Sequence, residues 1–171
     1  MASKFFDSDL DYSDDLISQD DEIYNIKSLT NEELASSLDV PITVCYMLAD
    51  ISSTEYGFGQ VFNQEDTLHY FSTMRKFGSN SLNMLFEHRH DYHLYRSAVK
   101  GKLFEVLKSV YPNLTKGIVP EIYHFALYTV KNGLADRTSD IRSPRIYFVL
   151  GDYGRIYPLF FDPYHELNPV N

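Results

Sequence analysis

The stretch that decides the fold runs from Arg145 to Leu167 and reads Arg-Ile-Tyr-Phe-Val-Leu-Gly-Asp-Tyr-Gly-Arg-Ile-Tyr-Pro-Leu-Phe-Phe-Asp-Pro-Tyr-His-Glu-Leu. Two runs rich in β-branched and aromatic residues flank a short loop with two glycines, which is the pattern of an antiparallel β-hairpin. The second run ends in Asp162-Pro163-Tyr164-His165, so an acid and an imidazole follow directly on a strand. Polar side chains at such a position on a rigid sheet are often functional.

The chain upstream of the hairpin is predicted to be helical first and β-stranded only near its end. Residues 122–130 form a β-type run before a polar, turn-rich loop, and a further strand is expected near Tyr56–Phe62. Helices followed by an antiparallel sheet are typical of the α+β class. We therefore predict one α+β domain over residues 29–171, in which a helical N-terminal half (29–112) packs on a small C-terminal antiparallel sheet (120–167).

Apolar residues at helical spacing place several helices within that N-terminal half. Two short helices flank a proline near its start, the second of them from Ile42 to Ile51. A longer helix begins at Asp66 and is stopped by Gly78. Ser79 is expected to cap a short helix, and the last helix runs from about Leu94 to Val110.

The net charge of -9 is concentrated at the N-terminus. Residues 1–50 hold 12 acidic and 2 basic side chains, a net of -10, whereas residues 51–171 hold 12 acidic and 13 basic ones, a net of +1. We predict an acidic arm over residues 1–28. Its aromatic and aliphatic residues favour docking on a basic surface of this protein or of a partner, and the alternative is a solubilising tail. The acidic residues expected to bind a partner are Asp11, Asp14, Asp15, Asp20, Asp21 and Glu22.

The amino-acid composition indicates the cellular compartment of the protein and the kind of surface it presents. The single cysteine, Cys45, excludes an intramolecular disulfide and fits a reducing cytosol. No run approaches the roughly 18 apolar residues of a spanning helix, so we expect a cytoplasmic protein without a membrane partner. The tyrosine-rich composition suits protein interfaces, and Tyr46 is predicted to contribute to one.

Candidate acid–base groups come from the histidines. Three of them lie in a segment between two predicted helices: His88, His90 and His93. One reading places His88, His90 or His93 against the strand end that carries Asp162 and His165, because imidazole is the usual general acid and base near neutral pH. Arg145 is then one of the arginines able to hold a phosphate through two hydrogen bonds. Such a set suits phosphodiester cleavage without a metal; the alternative is an exposed polar loop and an ordinary Asp-Pro turn.

Metal and cofactor motifs are absent from the sequence. The histidine spacing matches no standard metal motif, and there is no glycine-rich phosphate loop. We expect neither a metal nor a cofactor.

The segment from Ile122 to Leu167 resembles the C-terminal sheet of small RelE/ParE-like toxins. Arg145-Ile146-Tyr147-Phe148 and Ile156-Tyr157-Pro158-Leu159 match the form of the last strands in that family. The ending Phe161-Asp162-Pro163-Tyr164-His165 is also similar to uncharacterised bacterial and phage proteins that close with an Asp-Pro-x-His turn. The resemblance covers about a quarter of the chain, which is more acidic than such toxins and about twice as long.

This resemblance implies a small ribonuclease-like α+β sheet acting on messenger RNA. Carried over by position, it implies that Arg145, Tyr147 and His165 bind phosphate or act as acid and base. The acidic arm would then restrain the site in the manner of a tethered antitoxin.

Two functions of different classes follow from these observations. The first is a toxin-like, metal-independent endoribonuclease whose partner is RNA and whose acidic arm restrains it. The second is a non-enzymatic acidic interaction protein, such as a phage-type anti-defence inhibitor or nucleic-acid mimic, that binds a basic nucleic-acid-binding protein through its carboxylates.

Overall fold

The computed structural model describes residues 38–112, 121–129, 135–151 and 153–169. Its helices are α1 (Gln64–Phe77), α2 (Leu82–Glu87) and α3 (Gly101–Val110). Its strands are β1 (Thr43–Val44), β2 (Tyr95–Ser97), β3 (Ile122–Ala126), β4 (Arg145–Leu150) and β5 (Arg155–Asp162). The fold is α+β, as predicted.

The five strands form one mixed sheet in the order β1-β5-β4-β3-β2. The pairs β2–β3, β3–β4 and β4–β5 are antiparallel, and the short β1 pairs in parallel with the start of β5. The predicted hairpin is β4 and β5, with Arg145 opposite Asp162 and Leu150 opposite Ile156. The C-terminal hairpin therefore occupies the centre of the sheet.

Strand β4 is apolar along almost its whole length because both faces of the sheet are covered. Tyr147 and Val149 belong to a buried cluster that includes Leu103 and Leu107 of α3. Ile146, Phe148 and Leu150 belong to the cluster on the other face, which includes residues of α1 and α2. Alternating side chains point to opposite faces of a strand, so a run without polar positions marks a strand buried on both sides.

The hairpin carries an irregularity near Pro158. Tyr147 pairs with Phe160 whereas Phe148 pairs with Pro158, so Leu159 is an extra residue on β5. Leu159 and Phe160 then lie in the same buried cluster. A bulge of this kind also accommodates a proline, which has no N–H for the ladder.

Helix α1 begins with a capping box. The Asn63 side chain accepts from the Asp66 backbone N–H at 2.9 Å, and the Asp66 carboxylate accepts from the Asn63 N–H at 3.0 Å. These bonds satisfy two donors that a helix start leaves free. The helix ends before Gly78, where the sequence predicts its stop.

The predicted helix from Ile42 to Ile51 is wrong. Thr43 and Val44 form β1 instead, with the Thr43 N–H donating to Gly154 O at 3.1 Å and the Cys45 N–H to Ile156 O at 2.9 Å. Two β-branched residues next to an open strand edge gain ladder hydrogen bonds that a short isolated helix cannot match. The first predicted helix of this pair lies almost wholly outside the described residues.

Two further expectations are corrected. The last helix begins at Gly101 rather than near Leu94, because Tyr95–Ser97 pairs with β3 and extends the sheet. No strand forms over Tyr56–Phe62, where the chain makes successive turns. Part of the half predicted as helical thus contributes β1 and β2 to the sheet, and the acidic arm over residues 1–28 lies outside the described residues.

Candidate functional site

Strand register brings polar side chains together at one end of the sheet, on the face where α3 packs. Tyr147 shares that face with residues of α3, and His124 lies directly opposite Tyr147 in the ladder. Arg145 is two residues before Tyr147 and therefore on the same face, and Asp162 lies opposite Arg145. The turn after β5 adds His165, whose ring lies 5.7 Å from that of His124. We call this set the sheet-end cluster: His124, Arg145, Tyr147, Asp162 and His165.

Arg145 is buried without an ion pair among the described residues. Only 6% of its surface is exposed. Its Nη1 donates to the carbonyl oxygens of Ser143 at 3.0 Å and Pro144 at 3.1 Å, and to Ser143 Oγ at 3.2 Å. Burial lowers the pKa of its guanidinium, and the Asp162 carboxylate acts in the opposite direction. A buried cation held mainly by carbonyl oxygens is a strong attractor for an anion.

Asp162 shapes the turn that carries His165. Its Oδ1 accepts from the Tyr164 N–H at 3.1 Å and its Oδ2 from the Leu167 N–H at 2.7 Å. Burial raises the pKa of Asp162, and the backbone donors oppose that rise. The carboxylate is fully buried and engaged by the backbone, so its role is to fold residues 163–167 back over the sheet end.

The two histidines of the cluster differ in their surroundings. His124 is buried, and its Nδ1 lies 2.7 Å from Ser97 Oγ on the neighbouring strand β2. His165 is partly exposed and adopts a left-handed backbone conformation with φ of 57°. Few residues other than glycine take that conformation without strain, and such strain often accompanies function.

Both imidazoles are held in their neutral form. The pKa of His124 is lowered to about 3, mainly by burial and in smaller part by the charges of His165 and Arg145. Burial also lowers the pKa of His165 to about 4, with Arg145 contributing in the same direction. Burial raises the pKa of Tyr147, so its phenol stays protonated. At neutral pH the cluster therefore combines the guanidinium of Arg145, the phenol of Tyr147 and two neutral imidazoles beside the buried Asp162.

Three buried polar atoms of the cluster make no well-formed hydrogen bond within the described part of the chain, although the Asn168 backbone lies close enough to shift the pKa of both Tyr147 and His165. They are Arg145 Nε, the Tyr147 hydroxyl and His165 Nε2. Buried polar groups are nearly always paired, so unpaired ones that share a site indicate something the site is built to bind. Two are donors and the imidazole can donate or accept, and this combination matches the oxygens of a phosphate.

The other predicted site residues lie apart from this cluster or at its margin. His88 is exposed, with Nδ1 3.6 Å from the Asp91 carboxylate. His90 is also exposed, and its Nδ1 lies 3.1 Å from the hydroxyl of Tyr95, whose ring is 6.1 Å from His124. Tyr46 is exposed. The acidic residues predicted to bind a partner lie outside the described residues: Asp11, Asp14, Asp15, Asp20, Asp21 and Glu22.

Two residues were missed by the sequence reasoning, His124 and Ser97, which join the site through strand pairing. His93, one of the three histidines expected to face this sheet end, lies near enough for its charge to lower the pKa of both cluster histidines. His93 also has a left-handed backbone, with φ of 46°. The alternation of side chains along β3 could have placed His124 on the same face as Ile122. The residue of β4 that lies opposite His124 depends on the strand register, which alternation alone does not set.

Neither a metal site nor a membrane-spanning helix is found among the described residues. They contain no group of three or more His, Cys, Asp or Glu side chains arranged to hold a metal ion. No helix among them has the length and apolar character needed to cross a bilayer.

The arrangement defines the chain as an α+β protein with a buried polar cluster, which contains an arginine and an aspartate, at one end of its sheet. Comparison with known protein families, with curated proteins and with solved structures finds no match to this chain. The chemistry of the cluster therefore carries the functional argument.

Proposed function

We propose that the chain is a toxin-like, metal-independent endoribonuclease of the cytoplasm and that the sheet-end cluster binds the scissile phosphate. The observation that carries this proposal is the convergence of Arg145, Tyr147 and His165 with polar atoms left unpaired. A phosphate would accept hydrogen bonds from the guanidinium and the phenol, and it would supply the negative charge that Arg145 lacks.

The chemistry assigned to the cluster is attack by the ribose 2′-hydroxyl on the neighbouring phosphorus. His165 Nε2 takes the hydroxyl proton, a role open to it because the imidazole is neutral at pH 7. The new bond joins the 2′ oxygen to phosphorus, the bond to the 5′ oxygen breaks, and that oxygen takes a proton from water. Arg145 and Tyr147 stabilise the charge on the phosphoryl oxygens.

Substrate entry requires the turn over residues 163–167 to move. Arg145 and Tyr147 are buried, and Leu167 of the turn belongs to the same buried cluster as Tyr147. Displacement of a short surface turn is a common gating step. The proposed restraint by the acidic arm would act on the same opening, since carboxylates compete with phosphate for a cationic site.

The test is RNA cleavage in the presence of a metal chelator. We expect cleavage by the chain lacking residues 1–28, slower cleavage by the full chain, and a loss of about 100-fold or more on His165→Asn, as for other general bases. His88→Asn is the matched control, because His88 is exposed and lies outside the cluster. Intact RNA after incubation with the truncated chain would rule the proposal out.

A second candidate function is a non-enzymatic protein that binds a basic nucleic-acid-binding partner. The observation favouring it is a set of exposed apolar side chains: Tyr46, Met47, Ile51, Leu68 and Phe71. The ring centroids of Tyr46 and Tyr70 lie 6.3 Å apart, and the Tyr70 ring also contacts that of Phe71. Tyr70 therefore links the exposed side chains of the segment after β1 to those of α1. Exposed apolar patches that include aromatic side chains are typical of protein interaction sites.

Its test compares the wild-type chain with a triple variant in which Asp14, Asp15 and Asp20 become Asn. Both are immobilised, and the captured proteins are identified at low and at high salt. We expect basic nucleic-acid-binding proteins on the wild type, fewer on the variant, and fewer at high salt because salt screens exposed charges. Equal capture by the two chains at both salt levels would remove this candidate.

A further inference from the structure

A groove lies between the loop of residues 48–56 and the C-terminal half of α3. Its volume is about 730 Å³, which falls within the roughly 300–1,000 Å³ of ligand-binding clefts. None of its lining residues belongs to the sheet-end cluster, so the groove is a separate feature of the molecule.

The loop that forms one wall is closely folded and tied to the sheet. Asp50 donates its N–H to Leu159 O of β5 at 2.9 Å and accepts from the Phe58 N–H at 2.7 Å through its carbonyl. A side chain at Gly59 would meet Ile51 O at 2.2 Å, so the backbone can pass there only as glycine. A wall held in this way presents a preformed surface, which lowers the entropic cost of binding.

The groove is acidic. Asp50 and Glu55 line it, and none of the lining residues within the described part of the chain is basic. Asp50 is only 5% exposed; its Oδ1 is engaged by Ser52 and Ser53, while its Oδ2 has no partner among the described residues. A buried carboxylate oxygen without a donor is costly, and a cation would relieve that cost.

The neighbouring cation does not neutralise this acidity. Lys102 lies over the Tyr56 ring at 5.1 Å, but its Nζ is paired with Glu166 at 3.0 Å. The groove also has apolar walls, from Val106 and Val110 of α3, and Ile51 at its edge is 72% exposed. Apolar walls beside carboxylates suit a long aliphatic side chain with a positive end.

We infer that this groove binds lysine or arginine side chains of a basic protein partner, with their aliphatic parts against α3 and their cations at Asp50 and Glu55. A protein rather than a free amine is favoured because Ile51, which lines the groove, is exposed together with Tyr46 and Met47 of the same segment, and exposed apolar side chains suit a macromolecular partner. This inference rests on the second candidate function and names its binding site.

The experiment uses the full chain and a fluorescently labelled synthetic peptide of lysine, arginine and leucine. Anisotropy measures binding, and a peptide with glutamine at each basic position is the neutral control. Ser109→Arg places a competing cation in the groove on an exposed helical position. Ser72→Arg on α1 adds the same charge outside the groove and is the matched control.

We expect Ser109→Arg to weaken binding about tenfold or more, because a like charge replaces an attraction. Ser72→Arg should change it by less than about twofold. Amide shifts on binding should fall on the groove residues Ile51, Glu55 and Val110. Glu55→Lys serves as a second variant if Ser109→Arg does not fold.

The outcomes separate this inference from the function on which it rests. If the arginine variants weaken binding equally, or if the amide shifts fall elsewhere, the groove assignment is overturned. If the arm variant with Asp14, Asp15 and Asp20 replaced loses binding while Ser109→Arg keeps it, the second candidate function stands without the groove. Equal binding of the basic and the neutral peptide would overturn both.

Discussion

His124 illustrates how a single residue links the site to the stability of the fold. Its pKa is about 3 in the folded protein, mainly through burial, against about 6.5 in an unfolded chain. Below pH 6.5 the unfolded chain therefore binds a proton that the folded protein does not. This contribution to stability is complete above pH 6.5 and is lost as the pH falls toward 3.

We expect the free energy of unfolding to fall by up to about 1.4 kcal/mol per pH unit for this proton. Urea denaturation of the wild type and of His124→Gln across that pH range measures the difference. The variant should give a flatter profile, whereas His88→Gln, which replaces an exposed histidine, should follow the wild type. Parallel profiles for all three chains would contradict the assignment.

Tyr147 is a second single residue at which a substitution should affect stability and function differently. Its hydroxyl is buried and makes no well-formed hydrogen bond among the described residues, so Tyr147→Phe removes a desolvated polar group and a weak contact with the Asn168 backbone. We expect the free energy of unfolding to stay equal or to rise by about 1 kcal/mol, while RNA cleavage is lost. Chemical denaturation and the cleavage assay are run on the same preparation. A clear loss of stability would mean that the hydroxyl has a structural partner.

Part of this site could be predicted from single residues, and part could not. The spacing of Arg145 and Tyr147 places both on one face of a predicted strand, and His165 follows the end of the next strand. The position of His124 opposite Tyr147 is decided by strand register instead. Register depends on the whole pattern of burial and turns, to which no single residue is a guide.

At the scale of elements, the start of α1 is tied to the loop before β4 by a buried ion pair. Arg142 Nη2 lies 2.5 Å from the Asp66 carboxylate and also donates to Val61 O at 2.8 Å. The Tyr128 hydroxyl donates to the other oxygen of the same carboxylate, which is fully buried. Asp66 thus serves the helix cap and a tertiary contact at once.

Arg142→Gln is expected to lower the free energy of unfolding by about 3 kcal/mol, because it leaves a buried carboxylate uncompensated. The double variant with Asp66→Asn should recover part of that loss, since the uncompensated charge is then gone. A double-mutant cycle by urea denaturation gives the coupling between the two residues. Additive losses would show that the pair is not coupled.

The elements that were mispredicted are the short ones. Strand β1 has two residues and β2 has three, and neither is long enough to show an alternating pattern. Both lie at the edges of the sheet, where the exposed ladder groups of β5 and β3 recruit them. The hairpin and α1 were predicted because their patterns repeat over many residues.

At the scale of the whole molecule, Glu166 ties the C-terminal turn to three other parts of the chain. Glu166 accepts hydrogen bonds from Tyr56 at 2.8 Å, from Lys102 at 3.0 Å and from Arg137 at 2.9 Å. These partners come from the groove loop, α3 and the loop before β4. Arg137 is the main reason that the pKa of Glu166 is lowered to about 2. The same turn carries His165 over the sheet-end cluster.

Glu166→Gln should therefore loosen the turn without unfolding the sheet. The change replaces charge-assisted hydrogen bonds by neutral ones at a partly exposed site. The expected loss of free energy is about 1 kcal/mol. We expect hydrogen exchange at the Tyr164 and Leu167 amides to quicken about fivefold, the factor that corresponds to that energy. Exchange at the β4 amides of Ile146 and Val149 should be unchanged.

Glu121→Gln supplies the control, because it breaks the surface pair with Arg96 at 2.7 Å, which does not involve the turn. If opening of the turn limits access to the cluster, Glu166→Gln also speeds RNA cleavage by the truncated chain, whereas Glu121→Gln does not. Faster exchange without faster cleavage would assign the turn a structural role only. Unchanged exchange would mean that Asp162, with its hydrogen bonds to both of those amides, holds the turn by itself.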